Sequence, residues 1–281
     1  MKKTILSILI VAMIVVSAIG MMACNKDTSK VKVVEIQLTE EEYAIGVKKG
    51  NTELLGQINE AMDALKADGT VDAIMQKYFA GDKVEGIVSA KKDSNKKQLV
   101  VATNAEFAPF EYMMGDKFAG IDIEIAKAIA DKLGKELVID NMQFDAVVTS
   151  VGAGLADMAI AGLTVTPKRA ESVDFTKTYY QASQQLIVKA DNTTFDECKT
   201  VQDVEKVLKS LTDKKAGFQN GTTGEYYVKG DESWGFDGYS NITAVGYDNA
   251  GLAVKDMLNG KIDIVVVDQM PAKSIASKLN K

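Results

Sequence analysis

From residue 98 onward, short apolar runs of strand character take turns with stretches that are apolar on one face at helical spacing, and this alternation limits the fold more than any other feature. "QLVVAT" (98–103) reads as a buried strand, 121–133 as a helix closed by Gly134, and "ELVID" (136–140) as the next strand. A helix over 146–151, a strand "ADMAIAG" (156–162) and a long extended run "QQLIVKA" (184–190) follow. Beyond them come a helix at 201–211, a strand "KAGFQN" (215–220), a helix at 250–258, a strand "DIVVVD" (263–268) and a last helix at 272–279. Strands that alternate with helices predict an α/β fold with parallel sheets. The pattern forms two α/β units on either side of the extended run near 187, and 281 residues suffice for two cores.

The front of the chain has its own order. "VKVVEIQL" (31–38) alternates and is β-branched, and "YAIGV" (43–47) is a second apolar run ended by "KKGN". Asn51 is placed to cap a helix with Leu54, Leu55, Ile58, Met62 and Leu65 on one face and Gly69 as its stop. A shorter helix carries Val71, Ile74, Met75 and Tyr78. Over 81–98 periodicity is lost, and the lysine-rich "SAKKDSNKKQ" reads as a solvated linker.

The chain contains no histidine, which removes Ser-His-Asp and Cys-His catalysis, His-ligated zinc and a histidine pH switch together. A net charge of −6 gives no electrostatic case for nucleic acid. No metal, cofactor or catalytic residue is expected.

Lys2 and Lys3 precede an almost wholly apolar stretch over 5–22, then Ala23, Cys24 and polar "NKDTSK". This resembles a bacterial lipoprotein signal, with Met21 where leucine is usual. The resemblance implies a signal peptide over 1–23, lipid on Cys24, and an extracytoplasmic protein anchored to the bacterial membrane, at the cell surface or in the periplasm. An uncleaved membrane helix is the alternative for the same run. With Cys24 lipidated, Cys198 has no partner for a disulfide.

"LVVATNAEFAPFEY", "FAGIDIEIAKAIADKLG", "ADMAIAGLTVTPKRAESVDFT", "YYQASQQLIVKA", "GFQNGTTGE" and "DIVVVDQMPA" together resemble the family-3 bacterial solute-binding proteins for polar amino acids. These are the glutamine-, histidine- and lysine/arginine/ornithine-binding receptors of ABC importers. The resemblance implies a type II periplasmic-binding-protein fold of two lobes, each a sheet flanked by helices. The order of parts differs from the family. "KVVEIQLTEEEYAIGVKKGNTELLGQINEAMDALKADGTVDAIMQKYFAG" looks like the family's C-terminal end placed ahead of its beginning, which implies a circular permutation joined by the 81–98 linker. Lobe 1 is then 43–187, lobe 2 is 31–38 plus 188–281, and extended crossings fall at 39–43 and 185–190.

The same resemblance implies the site. Arg169 matches the arginine that forks onto the ligand's α-carboxylate, assisted by the Thr164 hydroxyl and the Gly162 backbone amide, with Ala161 beside them. Asp268, at the end of an apolar strand, matches the acid for the α-ammonium. Phe107 and Phe144 match aromatics that sandwich the ligand's stem, while Phe110 reads as core. Thr222 and Thr223 offer hydroxyls and helix N-terminal amides to the carboxylate. Asn104 and Gln219 match positions touching the ligand side chain; both are neutral amides, which suits glutamine, while Glu106 keeps a cationic ligand open. The implied function is a monomeric, lipid-anchored receptor that delivers an L-amino acid to an ABC permease. The alternatives are a dehydratase-like periplasmic enzyme, with Glu225 as a candidate general acid, and a ligand-sensing lipoprotein without transport.

Overall fold

Two five-stranded mixed sheets hold most of the alternating pattern. A computed structural model describes residues 30–281, so the signal segment and Cys24 lie outside the described residues. The first sheet has the order Val173–Phe175, Gly46–Lys48, Met158–Ala159, Gln98–Thr103, Glu136–Asn141. The second has the order Val31–Val34, Gln184–Lys189, Ile264–Asp268, Lys214–Gln219, Ile242–Tyr247. Gln98–Thr103 runs parallel to Glu136–Asn141 and Met158–Ala159, and Lys214–Gln219 runs parallel to Ile242–Tyr247 and Ile264–Asp268. The carboxyl ends of these parallel strands lead into Asn104 and Ala161 in one sheet and end at Gln219 and Asp268 in the other. Ligand groups of α/β sheets stand at such ends.

Ile264–Asp268 shows why a continuous apolar run was required. Ile264 and Val266 pack with Leu186, Val188, Phe218, Val204 and Leu208 on one face. Val265 and Val267 pack with Ile187, Ala250, Val254 and Met257 on the other. Both faces are covered, so no position of this strand can be polar until its last. In the other half, the helices Thr52–Ala67 and Thr70–Ala80 pack against Ile121–Lys132. The Asn51 side chain accepts from the Leu54 amide at 3.2 Å, capping the first of these helices. Tyr78 donates to Glu124 at 2.7 Å and accepts from the Gly120 amide, tying the second helix to the start of Ile121–Lys132.

Val31–Val34 lies in the same sheet as Ile264–Asp268, with Gln184–Lys189 between them and antiparallel to both. That position corrects one expectation, because the run expected to cross between lobes is an interior strand. The extended pair between the sheets is instead Glu41–Tyr43 against Tyr180–Ala182, in register from Tyr43↔Tyr180 to Glu41↔Ala182. Residues 82–97 form no helix or strand beyond an isolated bridge between Ile87 and Phe118. They run along the edge strand Glu136–Asn141, where the Ala90 amide donates to the Leu137 carbonyl at 2.9 Å.

Several elements escaped the sequence pattern, among them a meander and an edge strand. Glu106–Phe107, Glu111–Met114 and Lys117–Ala119 form a small antiparallel meander, and Ile242–Tyr247 is an edge strand. The edge strand is mostly half-buried and exposed, so neither an apolar run nor a clean alternation marks it. Among the described residues no helix is long and apolar enough to cross a membrane.

Candidate functional site

Arg169 is held by its own short helix, Pro167–Ala170. The Thr166 hydroxyl accepts from the Arg169 amide at 3.2 Å, and Pro167 starts the turn with no amide to satisfy. The guanidinium is buried; one Nη donates to the Thr164 carbonyl at 2.6 Å and the other to the Gly221 carbonyl at 3.0 Å. Its carbon lies 5.2 Å from the centre of the Phe144 ring. Among the described residues no carboxylate comes within 4.0 Å of it. Burial pulls its pKa down, and the Tyr226, Glu41 and Asp268 groups nearby pull it back up. A buried, always-charged fork that donates only to backbone carbonyls is suited to take a carboxylate.

Asp268 is equally buried at the end of its strand, where the Tyr43 hydroxyl donates to Oδ1 at 2.5 Å. Burial, and then the charge of Glu41, push its pKa up to about 7. Tyr43 is driven well above its usual range by burial and by the same two carboxylates. Glu41 accepts from three hydroxyls: Thr39 at 2.7 Å, Thr164 at 2.7 Å and Thr223 at 2.8 Å.

These bonds engage part of the expected carboxylate cradle. A hydroxyl has a single proton, and those of Thr164 and Thr223 go to Glu41 while that of Thr222 goes to the Gln219 carbonyl at 2.7 Å. The Gly162 amide donates to Asp122 Oδ2 at 2.6 Å and is engaged there without ligand. Gly162 has φ of +51°, and a Cβ there would lie 2.9 Å from the Phe107 ring. Glycine therefore serves a left-handed turn pressed against an aromatic.

The expected side-chain positions meet each other. Gln219 donates to Asn104 Oδ1 at 2.8 Å, across the two sheets, and Asn104 donates to the Met142 carbonyl at 2.8 Å. Asn249 reaches Glu106 at 2.8 Å in a similar bridge. Phe107 is buried and stacked on Phe110, which lies fully in the core as expected. Ala161 packs its methyl among Ala102, Val147 and Leu163, leaving only backbone for a ligand. Phe144 lines a cavity of about 270 Å³ with Arg169, Lys168 and Tyr226.

Sequence reasoning missed Glu41, Tyr43 and a second acidic cluster. Asp122, under Gly162, also takes the Tyr179 hydroxyl at 2.9 Å, and burial raises its pKa to about 7. Glu111 beside it is held well above the carboxylate range by burial and by the Asp122 charge. Asp122 stands in the first turn of a helix, where an acid is ordinary, so nothing in "GIDIE" distinguishes it. Among the described residues no three His, Cys, Asp or Glu side chains are grouped to hold a metal.

The profile of the bacterial extracellular solute-binding proteins, family 3, matches residues 9–81 and 99–234. The chain belongs to this family. This family-3 protein is 35% identical over 140 residues to the arginine-binding extracellular protein ArtP of Bacillus subtilis, an alignment covering 50% of this chain and 51% of ArtP. The chain spans between about half and under two thirds of the first curated relatives it matches. Holo ArgBP from T. maritima superposes with a TM-score of 0.55 at 32% identity, over 65% of this chain and 74% of that one. An ancestral arginine-binding protein, solved with arginine and with glutamine, is 33% identical with a TM-score of 0.55, over 65% of this chain. It is covered to 75% in the first structure and 74% in the second. These neighbours and the two sheets give the family-3 protein the periplasmic-binding-protein fold.

Proposed function

We propose that this chain is an extracytoplasmic receptor that closes two lobes over an L-amino acid and delivers it to an ABC importer. The observation that carries the reading is Arg169, buried and without a carboxylate partner among the described residues, in a site that also holds Asp268. The two groups complement the two charges that every free α-amino acid carries, and burying those charges requires that both be paired. An enzyme needs no such complement to an α-ammonium, and the matched relatives are named as binding proteins. The Asn104–Gln219 amide pair favours a neutral polar side chain such as glutamine. Calorimetric titration with the common L-amino acids checks this: one of them should bind in the micromolar range or tighter, with glutamine ahead of arginine. Silence from every amino acid overturns the receptor; arginine ahead of glutamine overturns the specificity.

The lobes in this reading are 43–183 and 31–38 with 184–281, joined by extended crossings at 39–43 and 180–183. Circular permutation is supported by the sharing of one sheet between Val31–Val34 and Ile264–Asp268. It is also supported by the break in the family match across 82–98. The lipid anchor rests on Cys24 and its apolar leader. Cys24→Ala should move the protein from the membrane to the soluble fraction, since acyl chains contribute about 0.8 kcal/mol per buried methylene. Membrane retention equal to wild type would instead mark an uncleaved helix.

A further inference from the structure

Three hydroxyls converge on one buried carboxylate at the place where extended chain joins the two sheets. Glu41 lies on the strand Glu41–Tyr43 and is 2% exposed. Thr39 donates to its Oε1 at 2.7 Å, and Thr164 and Thr223 donate to its Oε2 at 2.7 and 2.8 Å. A carboxylate only accepts, so all three protons point at Glu41. Thr223 loses a lone pair to Gln184, whose amide donates to it at 3.0 Å. No donor among the described residues reaches the Thr164 oxygen, which keeps its lone pairs facing away from Glu41. The same carboxylate is close enough to Asp268 to add its negative charge there.

We propose that Glu41 is a positioning residue of the amino-acid site: by holding the Thr164 proton it fixes that hydroxyl as an acceptor for the ligand's ammonium, and so makes the site demand an amine. This rests on the receptor reading above. The α-carboxylate is then left to Arg169 and backbone amides, while ammonium recognition is shared by Asp268 and Thr164. No residue of the motifs matched to the family's ligand set supplies this orientation, because a lone hydroxyl can turn either way.

Glu41→Gln tests it. The glutamine amide donates as well as accepts. With its nitrogen at the Oε2 position, Thr164 and Thr223 must reverse and present their protons outward, whereas with its nitrogen at the Oε1 position only Thr39 reverses. The variant is therefore read beside Thr164→Val, which removes the acceptor in either case. Affinities of wild type and variant are measured by competition titration for L-arginine and L-glutamine and for their des-amino analogues, δ-guanidinovalerate and glutaramate. The expected result is a loss of about tenfold or more for the amino acid that wild type binds, the scale of one charge-assisted hydrogen bond. The des-amino analogue should bind the variant at least as well as wild type, and the loss should vanish in a Thr164→Val background. Equal losses for both ligands would make Glu41 a structural residue and overturn the proposal. A gain for both would mean that Glu41 competes with the ligand carboxylate, which also overturns it. Should Glu41→Gln fail to fold, Thr164→Val alone must show the selective loss, and an equal loss there overturns the proposal in the same way. A wild type that binds neither amino acid nor any other overturns the receptor reading, and is recognised before any variant is compared.

Discussion

Arg169→Ala should abolish measurable amino-acid binding while the protein still folds. The side chain lies 6% exposed and donates to the Thr164 carbonyl at 2.6 Å and the Gly221 carbonyl at 3.0 Å. Neither acceptor is charged, so without ligand the guanidinium bears a desolvation cost that truncation relieves. The two lost hydrogen bonds remove about 1–3 kcal/mol each, partly offset by that relief, and thermal unfolding should show a modest change. Binding is different, because the ligand's carboxylate would be buried without a partner, at a loss of about 3–5 kcal/mol. A micromolar ligand is held by about 8 kcal/mol, so affinity moves to the millimolar range or beyond. Arg169→Lys should fall between, keeping charge but losing the planar fork. Binding by Arg169→Ala within about tenfold of wild type would place the carboxylate elsewhere.

What the sequence revealed depended on whether one strand or one motif carried the information. Ile264–Asp268 announced itself because both its faces are buried, and Asp268 stood out as the polar residue that ends the run. Ile242–Tyr247 left no such mark, because an edge strand tolerates polar and small residues. The crossing was misplaced for a related reason. "QQLIVK" is extended in either role, and only its pairing with Val31–Val34 and Ile264–Asp268 makes it a sheet strand. Arg169 was visible only through the motif around it, since an arginine after Pro167 is ordinary by itself.

Glu41 was hidden by its neighbours. In "TEEEY" three consecutive acids look like a solvated edge, yet strand alternation puts Glu41 and Tyr43 on the buried side and leaves Glu42 exposed. That periodicity is a sequence property; the three hydroxyls that make the burial tolerable come from residues 39, 164 and 223, and only the fold assembles them. The direction of a hydroxyl proton, which separates a carboxylate cradle from an ammonium cradle, depends on a third residue and cannot be read from any motif.

Amino-acid affinity should fall about tenfold per unit as pH drops below about 7, and level off above it. Without ligand, burial and the Glu41 charge raise Asp268 from its ordinary 3.8 to about 7. A protonated Asp268 cannot pair with an ammonium, so binding below that pH must expel its proton. The sign for stability is the reverse of the usual carboxylate case. The folded chain holds this proton more tightly than the unfolded one, so the group's contribution is greatest below about 4 and is lost as pH rises to about 7. Other groups titrate nearby: burial also raises Asp122, under Gly162, to about 7, while Glu111, Tyr43 and Tyr179 are pushed well up. Asp268→Asn separates them. It should lose binding by about 3–5 kcal/mol, because the ammonium is left without its counter-charge, and any residual binding should lose the Asp268 part of the pH slope. Calorimetry at about pH 6 and about pH 8, in buffers of different ionisation enthalpy, reads both the affinity and the released proton. Equal wild-type affinity at the two pH values would mean Asp268 is already ionised before ligand arrives. A full slope retained by Asp268→Asn would move the titrating group to Asp122.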